Sequence, residues 1–107
     1  NNPLGGMGMN FGIHDAINLA DKLGKVIRRE GDASLLDRYD RQRRHVAHAF
    51  LQAMTIQNKK LLEERDEAKR KEAQDELRAL ANDRTRMREV LLRTSMIEGV
   101  RAAAAIE

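Results

Sequence analysis

Apolar residues fall at helical spacing through most of this chain, and no segment carries the strict alternation of a half-buried strand. Ala16, Leu19, Ala20, Leu23, Val26 and Ile27 recur three and four apart. That spacing predicts a helix from about Phe11 to Glu30, with Asn10 as its N-cap and Gly31 as its stop. The pattern restarts at "GDASLLDRYDRQRR", where Asp32 or Ser34 can cap and Ser34 with Asp37 resembles a capping box. Leu35, Leu36, Tyr39, Val46, Phe50 and Met54 then share one broad face, which can continue through Leu61 and Leu62. A third helix comes next, interrupted near Asn82–Asp83. Leu77, Leu80, Met87, Leu91 and Thr94 lie on a heptad-like line along it, with Val90 and Ile97 beside. The expectation is an all-α chain: a glycine-rich loop and about three helices, one of them spanning much of residues 33–80.

Composition supports helices but thins the core. Of the 107 residues 35 % are charged and 41 % apolar, with two Phe, one Tyr and no Trp, so little aromatic area is available for burial. Residues 59–76 hold six basic and seven acidic residues and read as a solvated helical stretch or a frayed connection, not a binding tail. The formal charge of +3 is small and its signs are interleaved, which argues against nucleic acid as a partner. No cysteine is present, so thiolate and disulfide chemistry are excluded. No run is apolar enough to span a bilayer and no signal-peptide pattern opens the chain, so a cytoplasmic protein is the default.

The chemistry lies in "PLGGMGMNFGIHDAINLADKL". Glycines ahead of a helix let a ligand approach the backbone, and they leave the unpaired N–H groups of the first turn facing it, with the positive end of the helix dipole behind them. Such a site suits an anion or an electron-rich oxygen. No Lys-Ser/Thr follows the last glycine, so it is not a Walker loop, and it is not the dinucleotide fingerprint in its strand–turn–helix setting. On spacing alone, a tight turn entering a helix is the more ordinary explanation.

The register of the matches goes further. Pro3, Gly5, Gly6, Gly8, Asn10, Gly12, Asp15, Ala16, Asn18, Leu19, Ala20, Lys22 and Leu23, followed by Leu35, Leu36, Tyr39 and Arg43, resemble the third flavin-contacting stretch of the class A FAD-dependent monooxygenases. These are the aromatic-hydroxylase family of the para-hydroxybenzoate-hydroxylase type. The resemblance covers residues 1 to about 47. It implies a C-terminal fragment of a longer enzyme whose Rossmann-type α/β FAD-binding part lies upstream. Residues 1–31 would be the flavin-contacting loop and helix, and 32–107 a C-terminal helical region. Gly5, Gly6, Gly8, Met9 and Asn10 would turn backbone N–H groups to the pyrimidine edge of the flavin. Pro3 and Leu4 would line the substrate cavity, and Asp15 and Asn18 would hold loop and helix together by hydrogen bonds.

The implied parent uses FAD, with NAD(P)H as reductant and O2 as oxidant, to hydroxylate an aromatic or related small molecule. Family relatives also include epoxidases, halogenases and reductases. The chain alone supplies no catalytic residue and is expected to be inactive and to bind FAD weakly. A non-catalytic helical module that self-associates is the alternative, and in isolation the exposed apolar faces predict a homo-oligomer. Weaker candidates are His45 and His48, which lack a third metal ligand nearby, and a basic cluster of Arg28, Arg29, Arg38, Arg41, Arg43 and Arg44, which reads as a solvated or domain-packing face.

Overall fold

The computed structural model describes residues 3–107; Asn1 and Asn2, where the expected loop begins, lie outside the described residues. A 3-10 turn (Pro3–Gly5) leads into α1 (Gly8–Ile27) and α2 (Ser34–Val46). A π-helical segment (Ala47–Gln52) carries α2 without a break into α3 (Ala53–Glu63), and α4 (Glu67–Asn82), α5 (Arg84–Thr94) and α6 (Ile97–Ala104) complete the chain. No strand occurs among the described residues, so the all-α expectation holds. The molecule is elongated, 59 × 28 × 18 Å.

Several boundaries differ from the sequence reading, each for a local reason. Helix α1 starts at Gly8, with Met7 rather than Asn10 at the N-cap position and no side chain capping it. It ends at Ile27 in a Schellman turn: Glu30 N–H donates to Lys25 O and Arg29 N–H to Val26 O, and Arg29 itself takes the left-handed conformation at φ 59°. Gly31 is therefore not the stop. A Cβ there would lie 2.6 Å from Leu35 Cδ1, the end of a side chain that would have to turn aside.

Of the two candidate caps for α2, Asp32 closes the helix. Its carboxylate accepts from Ser34 N at 2.8 Å, and Ser34 is the first helical residue. The expected long helix runs only from 34 to 63. It stops where Glu64 turns extended (ψ 120°) and Asp66 accepts from the amides of Ala68 and Lys69 to start α4. The interruption near Asn82–Asp83 is present, with the Asp83 side chain capping α5 through Thr85 N and Arg86 N.

The core is small. Phe11 of α1, Val46 of α2, Met96 of the α5–α6 turn and Ala103 of α6 are buried together, with Met7, Phe50 and Leu51 packed around them. Gly99 lets α6 approach; a Cβ on it would stand 3.4 Å from Val46 Cγ1. The heptad-like line does not form a seam within the chain: Leu77 is 62 % exposed and Leu91 56 %, while Leu80, Met87 and Leu92 are half-buried.

Candidate functional site

The glycine loop is built by its own backbone. Gly6 N–H donates to Pro3 O at 3.0 Å, and Gly6 sits at φ 62°, a conformation that costs an L-residue about 1–2 kcal/mol. A Cβ at Gly6 would meet nothing within 4 Å, so the space over the turn is open to a ligand. Phe11 N–H to Met7 O, at 2.9 Å, is the first turn of α1. No side chain caps that turn and no acidic residue lies in it. No carboxylate of the first turn itself therefore offsets the positive end of the helix dipole. Met9 and Asn10 in the first turn are exposed, as are Pro3, Leu4 and Gly6. A cleft of about 420 Å³ opens beside the helix start, lined by Met7, Asn10, Ile13, His14 and the turn Thr94–Met96.

These features fit a group with an electron-rich edge and planar oxygen or nitrogen acceptors, as a flavin has: open space over a left-handed glycine, backbone donors and no competing carboxylate. The structure brings Pro3, Leu4, Gly5, Gly6, Gly8, Met9 and Asn10 into one continuous turn-and-helix start.

Behind the loop, the two halves of the motif meet. Arg43 Nε donates to Asp15 Oδ1 at 2.5 Å, and the guanidinium lies 6.0 Å from the centre of the Phe11 ring. Asn18 Nδ2 donates to Gln42 Oε1 at 3.2 Å, and Lys22 Nζ donates to Asn18 Oδ1 at 2.7 Å. Burial, with Arg38 next, pushes the buried Lys22 ammonium below its ordinary pKa. Gln42 Nε2 and Arg38 Nε both donate to Ile106 O, and Arg41 donates to Glu107 O. Asp15 and Asn18 thus hold α1 onto α2, while Gln42 ties that pair to the segment after α6.

Sequence reasoning missed three participants. Arg38 and Gln42 lie four apart on one face of α2, a visible signal, but the carbonyls they bind are more than sixty residues away. Asn58 of α3 donates to Leu4 O at 3.1 Å, and nothing in its spacing announces that. His45 and His48 are exposed, and no group of three or more His, Cys, Asp or Glu among the described residues is placed to hold a metal. The basic cluster is engaged within the protein: Arg28 with Glu30, Arg44 with Asp40, Arg43 with Asp15.

The family model of the FAD binding domain matches residues 1–54, which span the loop, α1, α2, the π-helical segment and the start of α3. Among curated proteins, para-nitrophenol 4-monooxygenase of Pseudomonas sp. (strain WBC-3) is 33 % identical over 94 % of this chain and 25 % of its own length. A 3-(3-hydroxy-phenyl)propionate/3-hydroxycinnamic acid hydroxylase of Mycolicibacterium vanbaalenii is 44 % identical over 50 % of this chain and 10 % of its own. The 12-dehydrotetracycline 5-monooxygenase/anhydrotetracycline 6-monooxygenase of Streptomyces rimosus is 45 % identical over 46 % of the chain and 10 % of its own. The chain therefore spans a quarter or less of these relatives. No solved structure matches it.

Proposed function

The chain belongs to the FAD-binding domain family, and from that premise we propose that it is the flavin-edge loop and C-terminal helical part of an FAD-dependent monooxygenase. Residues 1–31 face the cofactor and residues 32–107 support them. The observation that carries the reading is the uncapped start of α1 behind the left-handed Gly6, with open space above it.

In such an enzyme FAD supplies the redox and oxygen chemistry, reduced by NAD(P)H. This chain's residues supply orientation and electrostatics. Gly5, Gly8, Met9 and Asn10 would present backbone amides to the pyrimidine edge, where reduction places negative charge, with the α1 dipole stabilising it, while Gly6 would shape the loop, its own N–H closing the turn on Pro3 O. Pro3, through its carbonyl, and Leu4, at a position that varies with substrate, would line the cavity of a small aromatic or related substrate. The monooxygenase names of the relatives support this reaction over epoxidation, halogenation or reduction by family members. The reading places the enzyme in the cytoplasm. No helix among the described residues is long and apolar enough to cross a membrane.

The isolated chain is a different object. Ile13, Ile17 and Ile27 of α1, and Leu61 and Leu62 of α3, are exposed, so alone it self-associates and has no catalysis. Its few backbone donors, each contributing about 1 kcal/mol net, do not offset the ~4 kcal/mol or more lost on immobilising a ligand. Two measurements test the assignment. The full-length protein carrying Gly8→Val is expected to lose flavin or hydroxylation while the rest stays folded, and fluorescence titration of the isolated chain is expected to show no micromolar FAD binding. A fully loaded, active Gly8→Val enzyme overturns it.

A further inference from the structure

The turn that carries the glycines is held from outside the segment the family model matches. Leu4 O belongs to the Leu4–Gly5 peptide, and it accepts a hydrogen bond from Asn58 Nδ2 at 3.1 Å, across fifty-four positions of sequence. A carbonyl can only accept, so the amide nitrogen of Asn58 must face it. Fixing that carbonyl fixes the plane of the peptide whose N–H is the first donor of the loop. The same turn is closed by Gly6 N–H on Pro3 O at 3.0 Å.

Asn58 reaches the turn because of the π-helical segment Ala47–Gln52. Val46, the most buried side chain of the rod, marks its inner face. Asn58 lies twelve residues later, and at ~100° per residue a pure α-helix would carry it about 120° off that face. The π turn accommodates about one extra residue and takes back roughly 100° of that rotation. Val46, Phe50, Met54 and Asn58, the first buried and the others half-buried, therefore run down one side of the rod, toward the core and then the loop. Without the π turn, Asn58 would face solvent.

We propose that Asn58 is a positioning residue for the flavin-facing turn: its donor sets the Leu4–Gly5 peptide, and through it the aim of the loop amides at the cofactor. This rests on the flavin-facing reading of the loop and adds to it a residue on a different helix. Its hydrogen bond is to the backbone of Leu4, so it acts through the turn.

The test uses the full-length protein with Asn58→Asp, which keeps the shape but removes the donor, and Asn58→Gln, which keeps a donor. In the apoprotein, exchange of the Gly6 amide should quicken about five-fold in Asn58→Asp, the change that one neutral hydrogen bond of about 1 kcal/mol net corresponds to. In the FAD-loaded protein the same variant should shift the visible flavin spectrum and the flavin midpoint potential, and raise the share of reductant lost as hydrogen peroxide. Asn58→Gln should recover part of each. Unchanged Gly6 exchange and an unchanged flavin spectrum in Asn58→Asp, with only a lower melting temperature, overturn the proposal. Gly8→Val separates the two levels. If it disturbs the flavin spectrum and Asn58→Asp does not, the positioning role alone fails; if it leaves spectrum and occupancy untouched, the loop assignment fails and the positioning role with it.

Discussion

Removing Asp15 should cost more than removing its partner, and the reason is what each deletion leaves behind. The Arg43 side chain is 9 % exposed and the Asp15 side chain 40 %. Without Asp15, the guanidinium stays buried, with Nη2 already lacking a partner among the described residues. Deleting one member of a fully buried pair costs about 3–5 kcal/mol; discounted for the water that reaches Asp15, Asp15→Ala should cost about 2–3 kcal/mol. Arg43→Met keeps the methylene packing and leaves a carboxylate that water can solvate. It forfeits a cation–π contact with Phe11 of about 0.5–1 kcal/mol, for a total of about 1–2 kcal/mol. The assay is amide exchange along the middle of α1 in the full-length protein. At 1.36 kcal/mol per factor of ten, Asp15→Ala should accelerate it roughly 30- to 150-fold and Arg43→Met roughly 5- to 30-fold. The double variant should fall at least about 1 kcal/mol short of the sum, because the second deletion no longer strands a charge. An Arg43→Met effect as large as that of Asp15→Ala, or strict additivity, refutes the argument.

Arg29→Gly should stabilise the end of α1 by about 1 kcal/mol, because an exposed arginine now pays for a left-handed backbone at φ 59°; a lower melting temperature would contradict it. Gly6→Ala should cost about 1–2 kcal/mol locally and lower FAD occupancy of the full-length protein, read from its absorbance ratio. Asp83→Ala should fray α5 by about 1 kcal/mol, seen as faster exchange at Thr85 and Arg86. Hydrogen bonds from Ser34 hold the Asp32 carboxyl below its ordinary pKa, so its contribution is present above the usual carboxylate range and lost as pH falls through the lowered value. Exchange in the first turn of α2, taken relative to the intrinsic amide rate at each pH, should rise on acidification in the wild type and stay flat in Asp32→Asn, which caps without titrating.

Helical spacing made α1 and α2 legible because tertiary packing follows the same apolar stripe that the sequence displays. Their ends were not legible, since each end depends on a few backbone angles. Arg29 accepts a left-handed conformation two residues before the glycine that propensity favours, and Gly31 follows the turn, beside Leu35. Asp66 was hidden for another reason. In a stretch of alternating charge a capping carboxylate looks like any other surface acid, yet here it divides the expected long helix. The site divides in the same way. Gly5, Gly6, Gly8 and Asn10 form a contiguous string, so their grouping could be read directly. The pairing of Asp15 with Arg43 and of Asn18 with Gln42 is a contact between helices, invisible to local periodicity although both partners sit in recognisable motifs. Asn58 depended on a π turn, and no spacing rule for an α-helix would have aimed it at Leu4.

The grip of Arg38, Arg41 and Gln42 on the carbonyls of residues 106 and 107 also orders events in time. These bonds join positions sixty-four to sixty-eight apart. A ribosome adding about 5–20 residues per second emits the later partners roughly 3–13 s after the earlier ones. Through that interval the nascent α1–α2 pair is held by Asp15–Arg43, Asn18–Gln42 and the packing of Phe11 near Val46, with the remaining donors of α2 satisfied by water. The helical hairpin is thus the early unit and α6 with its tail the late latch. A lesion in the tail should leave a hairpin that forms on schedule but stays open to chaperones and proteases.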